Sequence, residues 1–168
     1  RYAMDYASDA TVIKGCVFDN CMTGIWIDGK STMAPVIKDC SFIGDSIGID
    51  CRCSEDGGVI DNCDFSGAVC GISFNSPLGV NATKPVKVRR CRITNNQIGI
   101  EVNSASASEA LRPDFGTVAD SGNNTISSNI QWNFYNNTAV THMAIGNNWG
   151  LGTVTDIDAT IYDDDETN

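Results

Sequence analysis

Four segments of this chain superimpose on one another, and nothing else in the sequence restricts the fold so strongly. They are VIKGCVFDNCMTGIWI from Val12, VIKDCSFIGDSIGIDC from Val36, VIDNCDFSGAVCGISF from Val59 and KVRRCRITNNQIGIEV from Lys87. Each places a cysteine at the same point (Cys16, Cys40, Cys63, Cys91), and two residues later comes Phe18, Phe42, Phe65 or Ile93. Eight residues after each cysteine stands Gly-Ile: Gly24-Ile25, Gly48-Ile49, Gly71-Ile72 and Gly99-Ile100. The cysteines step by 24, 23 and 28 residues while the Cys-to-Gly distance never changes, so length varies only between units. Fixed elements joined by one variable loop are the mark of a solenoid.

Inside each unit the apolar period is two, which means strands. Ile13, Cys16 and Phe18 point inward, with Lys14 and Val17 outward and a small bend near Gly15. Ile25 and Ile27 alternate with Trp26 and Asp28. One such strand pair cannot bury its apolar face alone. Stacked about 4.8 Å apart, units would align like residues into internal columns: Cys16/Cys40/Cys63/Cys91, Phe18/Phe42/Phe65/Ile93 and Ile25/Ile49/Ile72/Ile100.

These repeats resemble those of the right-handed parallel β-helix proteins of the pectate-lyase-like superfamily. Their loose pattern is apolar-x-x-Asn/Cys-x-apolar, followed by Gly-Ile-x-apolar. The resemblance covers residues 12–104 clearly and implies an all-β, right-handed parallel β-helix of roughly six to seven coils, as one domain over residues 1–168. Residues 105–150 read as degenerate coils. Gly122-Asn123-Asn124-Thr125-Ile126 and Ile145-Gly146-Asn147-Asn148-Trp149-Gly150 look like the closing coils of bacterial and archaeal surface β-helix proteins. A short C-terminal cap is expected over Thr155–Tyr162, with Thr155 or Asp156 as helix N-cap, followed by an acidic tail. Arg1 to Asp9 shows no evident cap, so we expect missing upstream sequence or a partner chain there.

The eight cysteines are read first as packing. Cys16, Cys40, Cys63, Cys91 and Cys51 (matched by Ile27, Phe74 and Val102) sit at inward positions, where a thiol acts as a small apolar group. Parallel ladder vectors do not suit disulfide geometry. Cys21, Cys53 and Cys70 fall at strand ends or turns, where one pair could bridge. No cysteine-histidine spacing suits zinc. His142 is the sole histidine, and no nucleophile or base accompanies it, so we read it as structural or surface. Asp163-Asp164-Asp165-Glu166 reads as a solvated tail; no cofactor is expected, and calcium has only weak support without an Asp-x-Asp-x-Asp-Gly loop. Three sequons, at Asn81, Asn123 and Asn136, are put down to the abundance of Asn.

Eleven Lys and Arg stand against 21 Asp and Glu, a net charge of -10, which disfavours nucleic acid as partner. No apolar run is long enough to span a bilayer. In the superfamily, carbohydrate enzymes work on the outside of one sheet, so outward positions of the Gly-Ile strands are the candidate site. One column reads Trp26, Asp50, Ser73, Glu101; the next reads Asp28, Arg52, Asn75, Asn103. Trp26, Asp28, Asp50, Arg52, Asn75, Glu101 and Asn103 are therefore candidate glycan-binding residues, weighed against an ordinary solvated sheet face, which we favour.

Polygalacturonases resemble the chain at repeat level, and the resemblance supplies a test. They need Asp before the Gly-Ile strands and a His before one such Gly, for paired acid and base work. The corresponding positions here are Met22-Thr23, Ser46-Ile47, Val69-Cys70 and Gln97-Ile98. None transfers protons usefully. Pectate lyases need Arg-x-Pro-x-x-Arg with acidic calcium ligands; Arg112-Pro113 and Arg89-Arg90-x-Arg92 do not reproduce it. The favoured reading is an extracellular or cell-surface module, structural or adhesive and glycan-binding, with no catalytic residue assigned. The alternatives are a polysaccharide lyase or hydrolase fragment using Asp28, Asp50 and Glu101, or a filament subunit self-associating through its uncapped N-terminal coil.

Overall fold

A computed structural model describes residues 2–5, 11–28, 35–52, 57–75, 84–105 and 112–163. Each repeat makes three short strands rather than the expected two. The first turn comprises β2 (Val12–Lys14), β3 (Val17–Asp19) and β4 (Thr23–Asp28), preceded by β1 (Tyr2–Asp5). The second has β5 (Val36–Lys38), β6 (Ser41–Ile43) and β7 (Ile47–Arg52); the third has β8 (Val59–Asp61), β9 (Asp64–Ser66) and β10 (Cys70–Phe74). The fourth has β11 (Lys87–Arg89), β12 (Arg92–Thr94) and β13 (Ile98–Val102). Then follow β14 (Thr125–Ser127), β15 (Trp132–Asn136), helix α1 (Val154–Asp158) and β16 (Ile161–Tyr162).

All described pairings are parallel and in register across turns: Phe18↔Phe42↔Phe65↔Ile93, and Ile25↔Ile49↔Ile72↔Ile100. Three sheets result. Sheet A has seven strands (β1-β4-β7-β10-β13-β15-β16), sheet B four (β11-β8-β5-β2) and sheet C five (β14-β12-β9-β6-β3). In the fifth turn a single bridge, Lys87↔Asp114, stands where sheet B would continue. The solenoid therefore has about five turns, not six to seven, because the segments at both ends form only parts of a turn.

The bend expected near Gly15 is a full break between sheets. Gly15, Asp39, Asn62, Arg90 and Asn123 all take the left-handed backbone, with φ between 50° and 65°. Asn20, Gly44, Gly67, Asn95 and Ser128 do the same at the next corner, with φ between 53° and 72°. Most are Gly, Asn or Asp, the residues that enter this region most readily. The invariant Gly before each Ile has another cause. A Cβ on Gly48 would lie 2.6 Å from the Gly71 carbonyl oxygen and 2.8 Å from the Phe65 ring.

The interior is a set of continuous columns. Phe42, Phe65, Ile37, Ile49, Ile60, Ile72 and Ile93 are fully enclosed. Phe18, Phe42 and Phe65 stack with centroids 4.8 and 4.6 Å apart. Cys40, Cys63, Cys91 and Cys51 are buried as expected, but Cys16 is exposed. Its turn begins sheets B and C, so no described strand packs beneath it. Cys70 stands at a strand end, the start of β10, and is buried; it and Cys21 are free thiols, while Cys53 lies outside the described residues.

At the C-terminal end the helix N-cap is Thr153, two residues before the expected Thr155. Its hydroxyl accepts from the Asp156 N–H at 3.1 Å and donates to the Asp156 carboxylate at 2.6 Å. The helix buries no residue, so the closing element is β16, which extends sheet A beside β15. At the opposite end, where the sequence shows no evident cap, Tyr2–Asp5 forms a strand on sheet A beside β4.

Candidate functional site

The outer face of sheet A aligns the predicted columns. Trp26 pairs with Asp50, Asp50 with Ser73, and Ser73 with Glu101. The column then continues through Tyr135 to Tyr162, two residues that sequence reasoning missed. Their repeats are too degenerate to align by eye, although Phe134 and Asn136 alternate with Tyr135 as a strand requires. Asp28 stands in register with Arg52, and only its backbone is described. Glu101 is half-buried and accepts from the Ser73 hydroxyl at 3.0 Å.

The middle of this face is not a solvated surface. Asp50 is 2 % exposed and Ser73 is wholly enclosed. A buried carboxylate must be paired and hydrogen-bonded, and Asp50 is both. It accepts from Arg52 Nε at 2.8 Å and from Asn75 Nδ2 at 2.7 Å. The Arg52 guanidinium also lies 5.2 Å from the centre of the Trp26 ring, a cation–π contact on the side chain of the adjoining turn. Arg52 thus covers the acid of its own strand and, through Trp26, ties it to the adjoining turn.

Beside it runs a ladder of amides. Asn103 donates to the Asn75 side-chain oxygen at 2.9 Å, and Asn137 donates to that of Asn103 at 3.4 Å. Asn137, another residue missed in the sequence, extends the column by one turn. Each amide engaged this way keeps further hydrogen-bonding capacity, since an Asn side chain carries two donors and two acceptor lone pairs. At the C-terminal edge, Tyr135 and Tyr162 stack at 4.5 Å and Trp132 tilts against Tyr162 at 5.6 Å. All three are half-buried, so apolar ring surface remains accessible next to Glu101.

Chemically, the face offers rings at both ends with fixed carboxylates and amides between. Asp50 is spent on Arg52 and Asn75, which leaves it structural rather than poised for proton transfer. The neighbouring thiol of Cys70 is pushed well up by burial and by the charges of Glu101 and Asp50, so it stays protonated and inert. Among the described residues, no group of His, Cys, Asp and Glu is arranged to hold a metal ion. Asn136, one of the three sequon residues, is buried and donates to the Val140 carbonyl, so its amide is engaged within the fold.

Arg89, read in sequence only as a failed lyase match, has a structural task. It is 4 % exposed and donates to the Asp114 carbonyl and carboxylate, both at 2.7 Å, and to Asp120 at 3.0 Å. It thereby clamps the strand-poor 112–122 segment onto the fourth turn. Asp120, hydrogen-bonded by Arg89 and Lys87, is held far below the usual carboxylate range.

No helix among the described residues is long and apolar enough to cross a membrane. No curated protein and no solved structure matches the chain. One family model does, that of the right handed beta helix region, over residues 2–148. With parallel in-register turns, three sheets around stacked internal columns and that match along most of its length, the chain belongs to the right-handed β-helix family.

Proposed function

We propose that this β-helix is a non-catalytic module outside the cell or on its surface that binds an extended, uncharged glycan along the outer face of sheet A. One observation carries the reading: the outward column bears aromatic side chains at both ends, Trp26 and then Tyr135 with Tyr162, flanking a fixed polar ladder. Trp26 and Tyr135 are four turns apart, or about 19 Å at the usual strand spacing. That length suits a chain of several sugar rings lying along the solenoid axis. Rings supply apolar surface for the sugar faces, while phenol hydroxyls and the Asn75, Asn103 and Asn137 amides address sugar hydroxyls.

Charge selects the ligand class. A chain of net charge -10 repels polyuronates, so a neutral polysaccharide fits better than pectin-like polymers. Cys40, Cys63 and Cys91 are shielded from oxidants by burial, which makes the thiol column compatible with an oxidising exterior.

The test is binding of the chain to a panel of neutral and acidic polysaccharides, followed by titration with Trp26→Ala, Tyr135→Ala and the double variant. We expect retention on a neutral glycan, with about tenfold weaker binding in each single variant. Binding that is absent from every glycan, or indifferent to both substitutions, overturns the proposal. Turnover of a uronic-acid polymer with calcium, lost in Asp50→Asn, would replace it by the enzymatic reading.

A further inference from the structure

A cavity of about 390 Å³ lies where the last turns meet the closing segment, away from the outer face of sheet A. Phe134 and Ile161 line it from β15 and β16, Ala144 and Trp149 from the returning chain, and Val140 and His142 from the loop between them. The size falls within the range of small-molecule sites, and the walls mix apolar side chains with the polar Asn136, Thr138 and Thr141 in about equal measure.

His142 is the unusual wall. Its ring sits 6.2 Å from Phe115 and 6.0 Å from Phe134, centre to centre. Both ring nitrogens are shielded from water, and neither has a hydrogen-bond partner. Burial, with the nearby Arg112 charge, pushes its pKa down to about 4, so the ring is neutral at pH 7. A neutral imidazole holds one donor and one acceptor, and a buried polar ring with neither satisfied is costly enough to need an explanation. Only the Pro113 backbone stands near enough to engage the ring, and rotation about its Cβ–Cγ bond would turn a nitrogen toward the cavity.

We propose that this cavity binds a small uncharged aromatic molecule bearing a hydroxyl group, its ring against Phe134 and Trp149 and its hydroxyl paired with His142. A hydroxyl matches the imidazole because each is donor and acceptor at once. His142 is neutral at pH 7 and offers a ligand no charge to pair with, and Asp163 in the lining disfavours anions. Nothing in this inference depends on the glycan reading, since the two sites share no residue.

The sole histidine makes the test direct, because its imidazole signals in nuclear magnetic resonance belong to His142 alone. The full chain is titrated with 2-naphthol and, separately, with naphthalene. We expect 2-naphthol to shift the His142 ring signals saturably and to bind at least tenfold more tightly than naphthalene. His142→Phe should abolish that preference while naphthalene still binds, and Ala144→Leu, which fills the cavity, should weaken both ligands. A His142 signal unmoved up to the solubility limit overturns the proposal, as does a preference that survives His142→Phe. Should His142→Phe not fold, unchanged binding in Ala144→Leu overturns it equally.

Discussion

In the first four turns the residue after the first left-handed corner is a cysteine (Cys16, Cys40, Cys63, Cys91), whereas in the C-terminal part it is an asparagine (Asn124, Asn147). Both reach the same place. Cys91 Sγ lies 3.6 Å from the Ile60 carbonyl oxygen of the preceding turn; Asn124 Nδ2 donates to the equivalent Val88 carbonyl at 3.1 Å. The asparagine does more, because its oxygen also accepts the buried Cys91 N–H at 2.8 Å and Asn147 repeats the bond to the Asn124 N–H at 3.0 Å. The second corner divides similarly. Asn96 and Asn129 each bond an N–H and a carbonyl of the turn before, while Asp45 only accepts from the Cys21 N–H and leaves its second oxygen without a partner. The early turns rely on stacked apolar columns, and the late turns, with fewer rings in register, rely on an amide ladder.

That contrast can be broken most severely at its apolar end. Phe42→Ala removes the middle ring of the Phe18/Phe42/Phe65 stack and should cost about 3–5 kcal/mol, read as a lowered denaturation midpoint. Hydrogen exchange should show the loss centred on turns one to three, since solenoid stability is carried by neighbouring turns. A uniform loss of protection along the chain would contradict that division.

Next comes the amide end. Asn124→Leu strands the buried Cys91 N–H, at about 1–3 kcal/mol, while the Val88 carbonyl keeps its bond from Arg89. If urea titration finds the variant as stable as the parent, the ladder is not what holds the late turns.

A smaller gain should follow from carrying the late solution into an early turn. Asp45 is 1 % exposed, and burial raises its pKa above the ordinary carboxylate value. A carboxyl raised in the folded state contributes stability below its unfolded pKa and loses it as pH climbs through the folded one. Asp45→Asn should therefore stabilise by about 1 kcal/mol at pH 7, and the gain should vanish in acid. Thermal melts of both proteins at pH 3 and pH 7 decide it.

A last test distinguishes the regions by the sign of their pH response. His142 titrates near 4 when folded and near 6.5 when unfolded, so the unfolded chain takes up the proton first. Its contribution is complete above about pH 6.5, falls as pH drops towards 4, and is then flat. Amide exchange in the 137–149 segment should quicken between pH 7 and pH 5 once corrected for intrinsic rate, and His142→Phe should remove the trend.

Much of this was legible before any coordinates. The constant Cys-to-Gly interval announced the repeat, and the register of Phe18, Phe42, Phe65 and Ile93 followed from it. The count of turns did not, because the pattern does not tell which end segments complete a turn and which form only part of one. Cys16 was misplaced indoors since its pattern matches Cys40; only its position at the end of sheets B and C exposes it. Tyr135, Tyr162 and Asn137 lay outside the clear repeats, so their alignment with Glu101 and Asn103 could not be read. Asp50 was taken for a surface acid because period-two alternation says which way a side chain points, not what covers it.

The sequence by itself determined the architecture: short-range alternation and a fixed repeat length leave parallel stacking as the arrangement that buries every apolar face. Tertiary structure decided the chemistry of the faces. Burial and pairing depend on neighbours 23 to 36 residues away, such as Asn75 on Asp50 and Asn124 on Val88, and the lengths of the intervening loops hide those partners from any local pattern.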